Sequence, residues 1–383
     1  MASEKAADRR SILVVDDEEG MRYTARRILQ SRYEVTEAAS GEEAIDILGE
    51  RIFHVALVDV RLPGLSGLEL LATIKVMSPS TEVVIMTGSV KDPDEALLSS
   101  IRSKAYFFLR KPFSASVLQT LIDRISETQR LQDRVRQHSR RLEEDLESAR
   151  IFQQGLLPVR DWKDRRLEVA GLYVPSRQLS GDLIDYWTLP GARTALLVAD
   201  VMGHGASSAM LTGIVKTQIR TLAVHLTDPA RILEELDRSL QSVALRRFLT
   251  ILLVIDDGPG KELRFCGAGH PPGLLRCPDG RLEQVISEGL PLNLDLPETV
   301  ARTSGRLERI SGAQLFLYSD GFAESLSPDG LFLNETPGYA DRIAETLASP
   351  PRESRDALEK MLLAHTGGRP QEDDRALLVA RFR

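Results

Sequence analysis

Two cysteines, Cys266 and Cys277, are all that 383 residues hold, too few for a disulfide framework or, by themselves, a zinc site. No apolar run approaches the roughly 18 residues of a membrane-spanning helix. The opening MASEKAADRR is polar and charged, with no apolar signal core behind it. These absences lead us to expect a cytoplasmic protein with no membrane segment. A basic excess is also missing: Lys and Arg number 49 against 56 Asp and Glu, a net charge of −7. That balance argues against a chain built to grip nucleic acid. There is no Walker-type glycine loop, no G-x-S-x-G elbow and no cysteine beside an arginine loop, so covalent serine or cysteine hydrolysis lacks a candidate. What remains is ordinary globular material, 42% hydrophobic and 27% charged, long enough for two or three domains with their own cores.

The first 117 residues alternate strand and helix. Apolar runs end at SILVVDD, YEVTEA, HVALVDV, EVVIMTG and AYFFLRKP, and five βα repeats predict a doubly wound parallel sheet with its ligands beyond the carboxyl ends of the strands. The residues at those ends are Asp16 and Asp17, Asp59, Thr87, and Lys111 followed by Pro112. Three carboxylates on one rim repel each other unless a cation joins them, and an all-oxygen set with few protein ligands suits Mg²⁺. A hydroxyl and an ammonium beside them make a phosphoryl site. Only 9 of the 49 cations are lysine, yet lysine stands at this rim, where a compact point charge is wanted. Asp59 is the candidate nucleophile, a carboxylate able to accept a phosphoryl group.

This arrangement resembles the receiver domain of two-component response regulators over residues 10–125. The resemblance implies a five-stranded sheet of order 2-1-3-4-5, with Asp59 as phosphoacceptor and a sensor histidine kinase as phosphodonor. It implies Asp16, Asp17, Asp59 and the carbonyl of Arg61 as Mg²⁺ ligands. Thr87 and Lys111 would sense the phosphoryl group, and Phe108 would change rotamer on activation. The segment from Thr87 to Lys111 is about two residues longer than usual, which bears on the helix expected there, the usual signalling face.

Residues 118–157 read as a helical linker. No Pro or Gly occurs from Ser114 to Gln154, and the stretch 118–157 carries 7 basic and 7 acidic residues. A heptad frame started at Leu118 places apolar residues at eight of twelve seam positions, including Leu121, Ile125, Val135, Leu142, Leu146 and Leu156. Its polar seam members are Thr128, Gln132, Ser139 and Gln153. That pattern predicts a weak or switchable coiled coil, a parallel homodimer; the alternative is a charged surface helix that extends the first domain.

From residue 158 to 383 the pattern becomes strand-rich. LEVAGLYVP, DLIDYWTL, ARTALLVADVM, FLTILLVIDD, ELRFCGAG, AQLFLYSDG and DRALLVARF read as strands. Helix pairs are expected at 205–224 and 229–245, and at 338–348 and 353–365. Strands with segregated helices predict α+β layers, helices flanking a β-sandwich. Acids recur where strands stop beside turn residues: Ser180-Gly181-Asp182, Asp200-Val201-Met202-Gly203-His204-Gly205, Ser319-Asp320-Gly321 and Asp373-Asp374. Such a set fits oxygen-only ligation of two divalent ions that activate a water.

With Leu156-Leu157-Pro158 at the entry and Gly267 to Pro272 as GAGHPP, residues from about 150 to 383 resemble the metal-dependent PP2C-type serine/threonine phosphatases of the bacterial sporulation and stress-response branch. The resemblance implies two Mn²⁺ or Mg²⁺ ions bridged by Asp200, with the Val201 carbonyl, Asp182, Asp320 and Asp373 completing the shells. The substrate class implied is a phosphorylated protein of the anti-anti-sigma type. Arg177 is where a substrate-phosphate arginine could sit, or else a surface cation. Asp185 is a candidate for an outer acid behind the ligands. His204 either tunes a metal-bound water or packs; His270 fits a loop-holding role better than a general acid. Cys266 reads as a small core residue. The alternative function is a non-catalytic adaptor that binds a sigma-factor pathway partner through a degenerate phosphatase domain.

Overall fold

The computed structural model describes residues 9–88, 107–158, 161–203, 205–243, 247–286, 288–294 and 300–383. The chain divides into two compact units, Met1–Arg141 and Leu142–Arg383.

In the first unit, strands β1 (Ser11–Val15), β2 (Glu34–Ala38), β3 (Val55–Asp59), β4 (Glu82–Thr87) and β5 (Phe107–Arg110) form a parallel sheet of order 2-1-3-4-5. Both faces are covered, so β1 and β3 are buried at every residue, as expected of parallel strands. Ile12, Val14 and Leu57 face one cluster; Leu13, Val15 and Val58 face the other. Helices α1 (Glu19–Leu29), α2 (Gly41–Glu50) and α3 (Gly67–Met77) connect the strands. Ser40 caps α2, and a Ser66–Glu69 capping box starts α3, where each hydroxyl satisfies an otherwise orphan N–H. The helix expected between Thr87 and Lys111 lies outside the described residues.

The long helix Ala115–Leu156 has 42 residues, roughly 60 Å of helix. Its first turns belong to the first unit: Leu118, Ile122 and Ile125 are buried against β1, β3 and β4. Tyr33 donates to Asp123 at 2.6 Å, and Arg10 donates to Gln129 at 2.6 Å. Its last turn belongs to the second unit, where Gln153 is buried. Between them the seam residues Val135 and Leu142 stay 68% and 59% exposed. The heptad reading therefore needs correction at its ends, because Leu118, Ile125 and Gln153 are already engaged within their own units.

The second unit stacks two sheets. One has the order β14-β11-β10-β9-β8 (Gly305–Glu308, Glu262–Ala268, Leu249–Asp256, Arg193–Val201, Asp182–Leu189), the other β13-β12-β15-β16-β7-β6 (Leu282–Val285, Gly273–Arg276, Gln314–Tyr318, Arg375–Phe382, Leu167–Val174, Asp161–Lys163). Their inner faces share a core of Ile184, Leu196, Val198, Leu252 and Val254 with Val169, Leu315, Leu317, Leu378 and Phe382. Helices Ala206–His225 and Pro229–Leu240 bury their apolar stripes on the outside of the first sheet. Helices Tyr339–Thr346 and Pro351–Thr366 do so on the second. Four short strands were not expected from sequence: β6 (Asp161–Lys163), β12 (Gly273–Arg276), β13 (Leu282–Val285) and β14 (Gly305–Glu308). All four have only three or four residues, too short for a period-two pattern to register.

Candidate functional sites

The rim of the first sheet brings the expected residues together. β1 ends one residue before Asp16, β3 ends on Asp59 and β4 on Thr87. Asp16, Asp17 and Asp59 each offer an oxygen within 4.8 Å of the others. Lys111, held by its N–H to the Thr87 carbonyl at 2.8 Å, places Nζ 2.7 Å from Asp16 Oδ2 and 3.0 Å from Asp59 Oδ2. Burial raises the Asp59 pKa, with Lys111 opposing the shift. Burial alone would lower the Lys111 pKa, but its bonds to Asp16 and Asp59 carry it above the usual lysine value. The donor set is all carboxylate, which suits a hard divalent cation. Phe108 is half-buried on β5, against the cluster containing Val58 and Leu71. Arg61 stands exposed two residues beyond Asp59.

In the second unit, strand register brings two acids together: on antiparallel β8 (Asp182–Leu189) and β9 (Arg193–Val201), Asp182 lies opposite Asp200. Cross-strand neighbours of this kind sit about 5 Å apart. Asp320 opens the short helix that follows β15 (Gln314–Tyr318), and Asp373 stands two residues before β16 (Arg375–Phe382). None of the four makes an ion pair with Lys or Arg among the described residues. Their mutual charge shows. Burial, then Asp200, pushes the Asp182 carboxyl well up. Burial, then Asp320 and Asp373, pushes Asp200 up to about 7. Burial, then Asp373, pushes Asp320 up to about 6. These four do not crowd within 4.8 Å as the first trio does. Oxygen-only, short of positive charge and ranging from buried Asp182 to exposed Asp373, the donor set fits divalent metals.

Three side chains to which the sequence reading gave no positioning role hold this site. Ser319, fully buried, donates to Asp182 Oδ2 at 2.6 Å and accepts the Ala376 N–H at 3.0 Å. Asp374 accepts from the Ser176 N–H, the Ser176 hydroxyl and the Gly181 N–H at 2.7, 2.9 and 2.8 Å. Gln153 clasps Ser180 from both sides, donating to its carbonyl at 2.7 Å and accepting its N–H at 3.1 Å. Each partner is at least 27 residues away in sequence, so no local spacing marks these roles; the tandem Asp373-Asp374 and the Ser before Asp320 were the available hints. Gly181 is required by close approach, since a Cβ there would meet the Val201 carbonyl at 2.5 Å. At Gly321 a Cβ would fall 1.9 Å from the Asp374 carbonyl.

Other candidates separate out. Asp185 is fully buried, but it pairs with Lys216 at 3.1 Å and Arg220 at 2.7 Å, so it anchors helix Ala206–His225 instead of backing the acid cluster. His270 bridges Thr250 Oγ1 at 2.8 Å and the Tyr318 carbonyl at 3.0 Å. Burial lowers its pKa to about 4, and a neutral ring holding two strands is poorly placed to donate protons. Arg177 is exposed on the loop that Asp374 clamps. Cys266 is buried on β11 (Glu262–Ala268). His204 lies outside the described residues.

Comparison with known proteins agrees with this division. The family described as response regulator receiver domain matches residues 12–123. The family described as Stage II sporulation protein E (SpoIIE) matches residues 190–383. The phosphoserine phosphatase RsbP of Bacillus subtilis is 28% identical over 193 residues, 49% of this chain and 47% of that protein. The phosphoserine phosphatase RsbU of the same organism is 25% identical over 214 residues, 55% of this chain and 62% of that protein. This chain thus spans about half to three-fifths of the length of these curated relatives. The SiaA-PP2C domain of Pseudomonas aeruginosa superposes with a TM-score of 0.55 at 23% identity, over 64% of this chain and 99% of that one, which shows the shared fold. Among the described residues no helix is long and apolar enough to cross a membrane. The chain belongs to the SpoIIE family, a PP2C-type protein phosphatase domain joined to an N-terminal response regulator receiver domain.

Proposed function

We propose that this chain is a metal-dependent serine/threonine protein phosphatase whose activity is set by phosphorylation of Asp59. The observation that carries the reading is the cluster of Asp182, Asp200, Asp320 and Asp373, the first buried, the next two half-buried and the last exposed, with no ion pair to Lys or Arg among the described residues. Asp200, Asp182, Asp320, Asp373 and the Val201 carbonyl would hold two Mn²⁺ or Mg²⁺ ions. Such ions supply a water of lowered pKa and neutralise charge on the phosphoryl oxygens. The chain's own residues set the geometry. Ser319 fixes the Asp182 carboxylate, Asp374 and Gln153 fix the loop before it, and Arg177 on that loop would orient the substrate phosphate.

In the receiver, Asp59 would accept the phosphoryl group from a sensor histidine kinase with Mg²⁺ at Asp16, Asp17 and the Arg61 carbonyl. Lys111 and Thr87 would hold the transferred group, and Phe108 would report it. The output path would run along the helix Ala115–Leu156. Its last turn touches the phosphatase loop through Gln153 and reaches the helix Ala206–His225 through Lys216, which donates to the Leu156 carbonyl. Exposed Val135 and Leu142 of the heptad seam would pair with a second copy, making a homodimer. The substrate would be a phosphorylated protein of the anti-anti-sigma type. A Mn²⁺-dependent phosphatase assay on such a protein tests the reading: wild type should turn over and Asp200→Asn should not. Equal rates in the two sink the enzyme and favour the adaptor.

A further inference from the structure

One cavity borders the phosphatase acids without serving to hold them. It measures about 360 Å³, and Asp320 and Asp373 line it together with Arg369, Arg375, Leu326 and Phe332. Arg375 is the first residue of β16 and alternates with Leu377 and Val379, which pack under the outer helices, so its side chain leaves the sheet on that same face. Its Nε is buried and has no hydrogen-bond partner among the described residues. Buried N–H groups in folded proteins are nearly always paired, and the side chain that carries this one lines a space with room for a whole side chain, well beyond a single water.

We propose that this cavity is a specificity subsite, taking an acidic side chain of the substrate protein against Arg375. The inference rests on the phosphatase reading and deepens it. A guanidinium is a planar fork that matches a carboxylate. Because the cavity shares Asp320 and Asp373 with the metal site, its occupant lies beside the reacting phosphoryl group, within a few residues of the phosphorylated Ser or Thr along an extended chain. Glu324 and Glu372, exposed in the same lining, disfavour a freely diffusing anion. A carboxylate delivered by a bound protein can pass them to reach the half-buried arginine.

Phosphothreonine peptides in which a single Glu is walked across the flanking positions, each with a Gln twin, test this on the full chain with Mn²⁺. At one position the Glu peptide should exceed its twin by about tenfold in kcat/KM, the scale of one charged hydrogen bond. Arg375→Gln should bring that ratio to about one, and Arg375→Lys should recover part of it. Ratios taken within one variant cancel any general loss of activity. Should Arg375→Gln fold poorly by thermal melt, Arg375→Met and Arg375→Lys read the same ratio. A wild-type ratio of one at every position, or a ratio that Arg375→Gln leaves intact, overturns the proposal. Calorimetric binding of the same peptides separates the two claims: a Glu preference that depends on Arg375, without turnover, keeps the subsite and defeats the phosphatase reading. Inorganic phosphate displacing the Glu peptide from Arg375 would assign the cavity to a free anion and also overturn it.

Discussion

The chain carries two clusters of aspartates, and they solve the same electrostatic problem differently. In the receiver, Lys111 sits 2.7 Å from Asp16 and 3.0 Å from Asp59, so the carboxylates have a cation of their own. In the phosphatase domain no lysine or arginine pairs with Asp182, Asp200, Asp320 or Asp373 among the described residues, and the carboxyl pKa rises to about 7 at Asp200 and about 6 at Asp320. A built-in lysine leaves a site that is organised before any ion arrives. A site without one is organised by the ions themselves, which ties its folding and its chemistry to metal and to pH. The net charge of −7 is partly a reflection of that second arrangement.

The largest effect that would sharpen the contrast comes from Asp200→Asn. It should lower phosphatase turnover by about a thousandfold or more, the scale of losing preorganised charge stabilisation at the reacting group, and should remove the Mn²⁺ binding that calorimetry detects in an Asp16→Asn, Asp17→Asn background, where the receiver site is disabled. Retained binding would mean that the acid cluster is not the metal centre. In the receiver, Asp59→Ala should abolish labelling by a small phosphodonor, read as the mass shift of one phosphoryl group. Labelling that survives there would place the phosphoacceptor elsewhere.

The two clusters should also part company with pH. Asp200 and Asp320 have folded-state values above those of the unfolded chain, so protonation favours the folded state. Their contribution to metal-free stability is full below about pH 4 and is lost as pH rises through about 6 to 7. Metal binding needs the ionised acids. The rise in melting temperature on adding Mn²⁺ should therefore grow from pH 5.5 to pH 8. A gain independent of pH would contradict the assignment. A smaller effect is expected at Ser319→Ala, which deletes one charged hydrogen bond to Asp182. Turnover at limiting Mn²⁺ should fall about tenfold and recover as Mn²⁺ is raised. A loss that saturating Mn²⁺ does not repair would place Ser319 in the chemistry instead.

Most of the architecture was legible because its signals are local. Parallel strands buried on both faces read as apolar runs ending in acids, and Asp182 and Asp320 each sit beside a glycine that the backbone requires by close approach, Gly181 and Gly321. The short strands β6 and β12 to β14 were missed because edge segments such as DWK and GRLE have too few residues to alternate. The roles of Ser319, Asp374 and Gln153 were hidden for a different reason. Asp374 meets Ser176 from 198 residues away and Ser319 meets Asp182 from 137, contacts set by sheet order and not by spacing. Gln153 counted as a weak polar seam position, whereas its amide is spent on Ser180.

The central claim is that the receiver cluster around Asp59 governs the phosphatase cluster around Asp200. The initial rate of phosphoprotein hydrolysis by the full chain in Mn²⁺, before and after treatment with a small phosphodonor, tests it most directly. The account predicts a metal-dependent rate that changes on treatment in the wild type and does not change in Asp59→Ala. A metal-dependent rate that stays the same in the wild type, or one that shifts equally in Asp59→Ala, would contradict it.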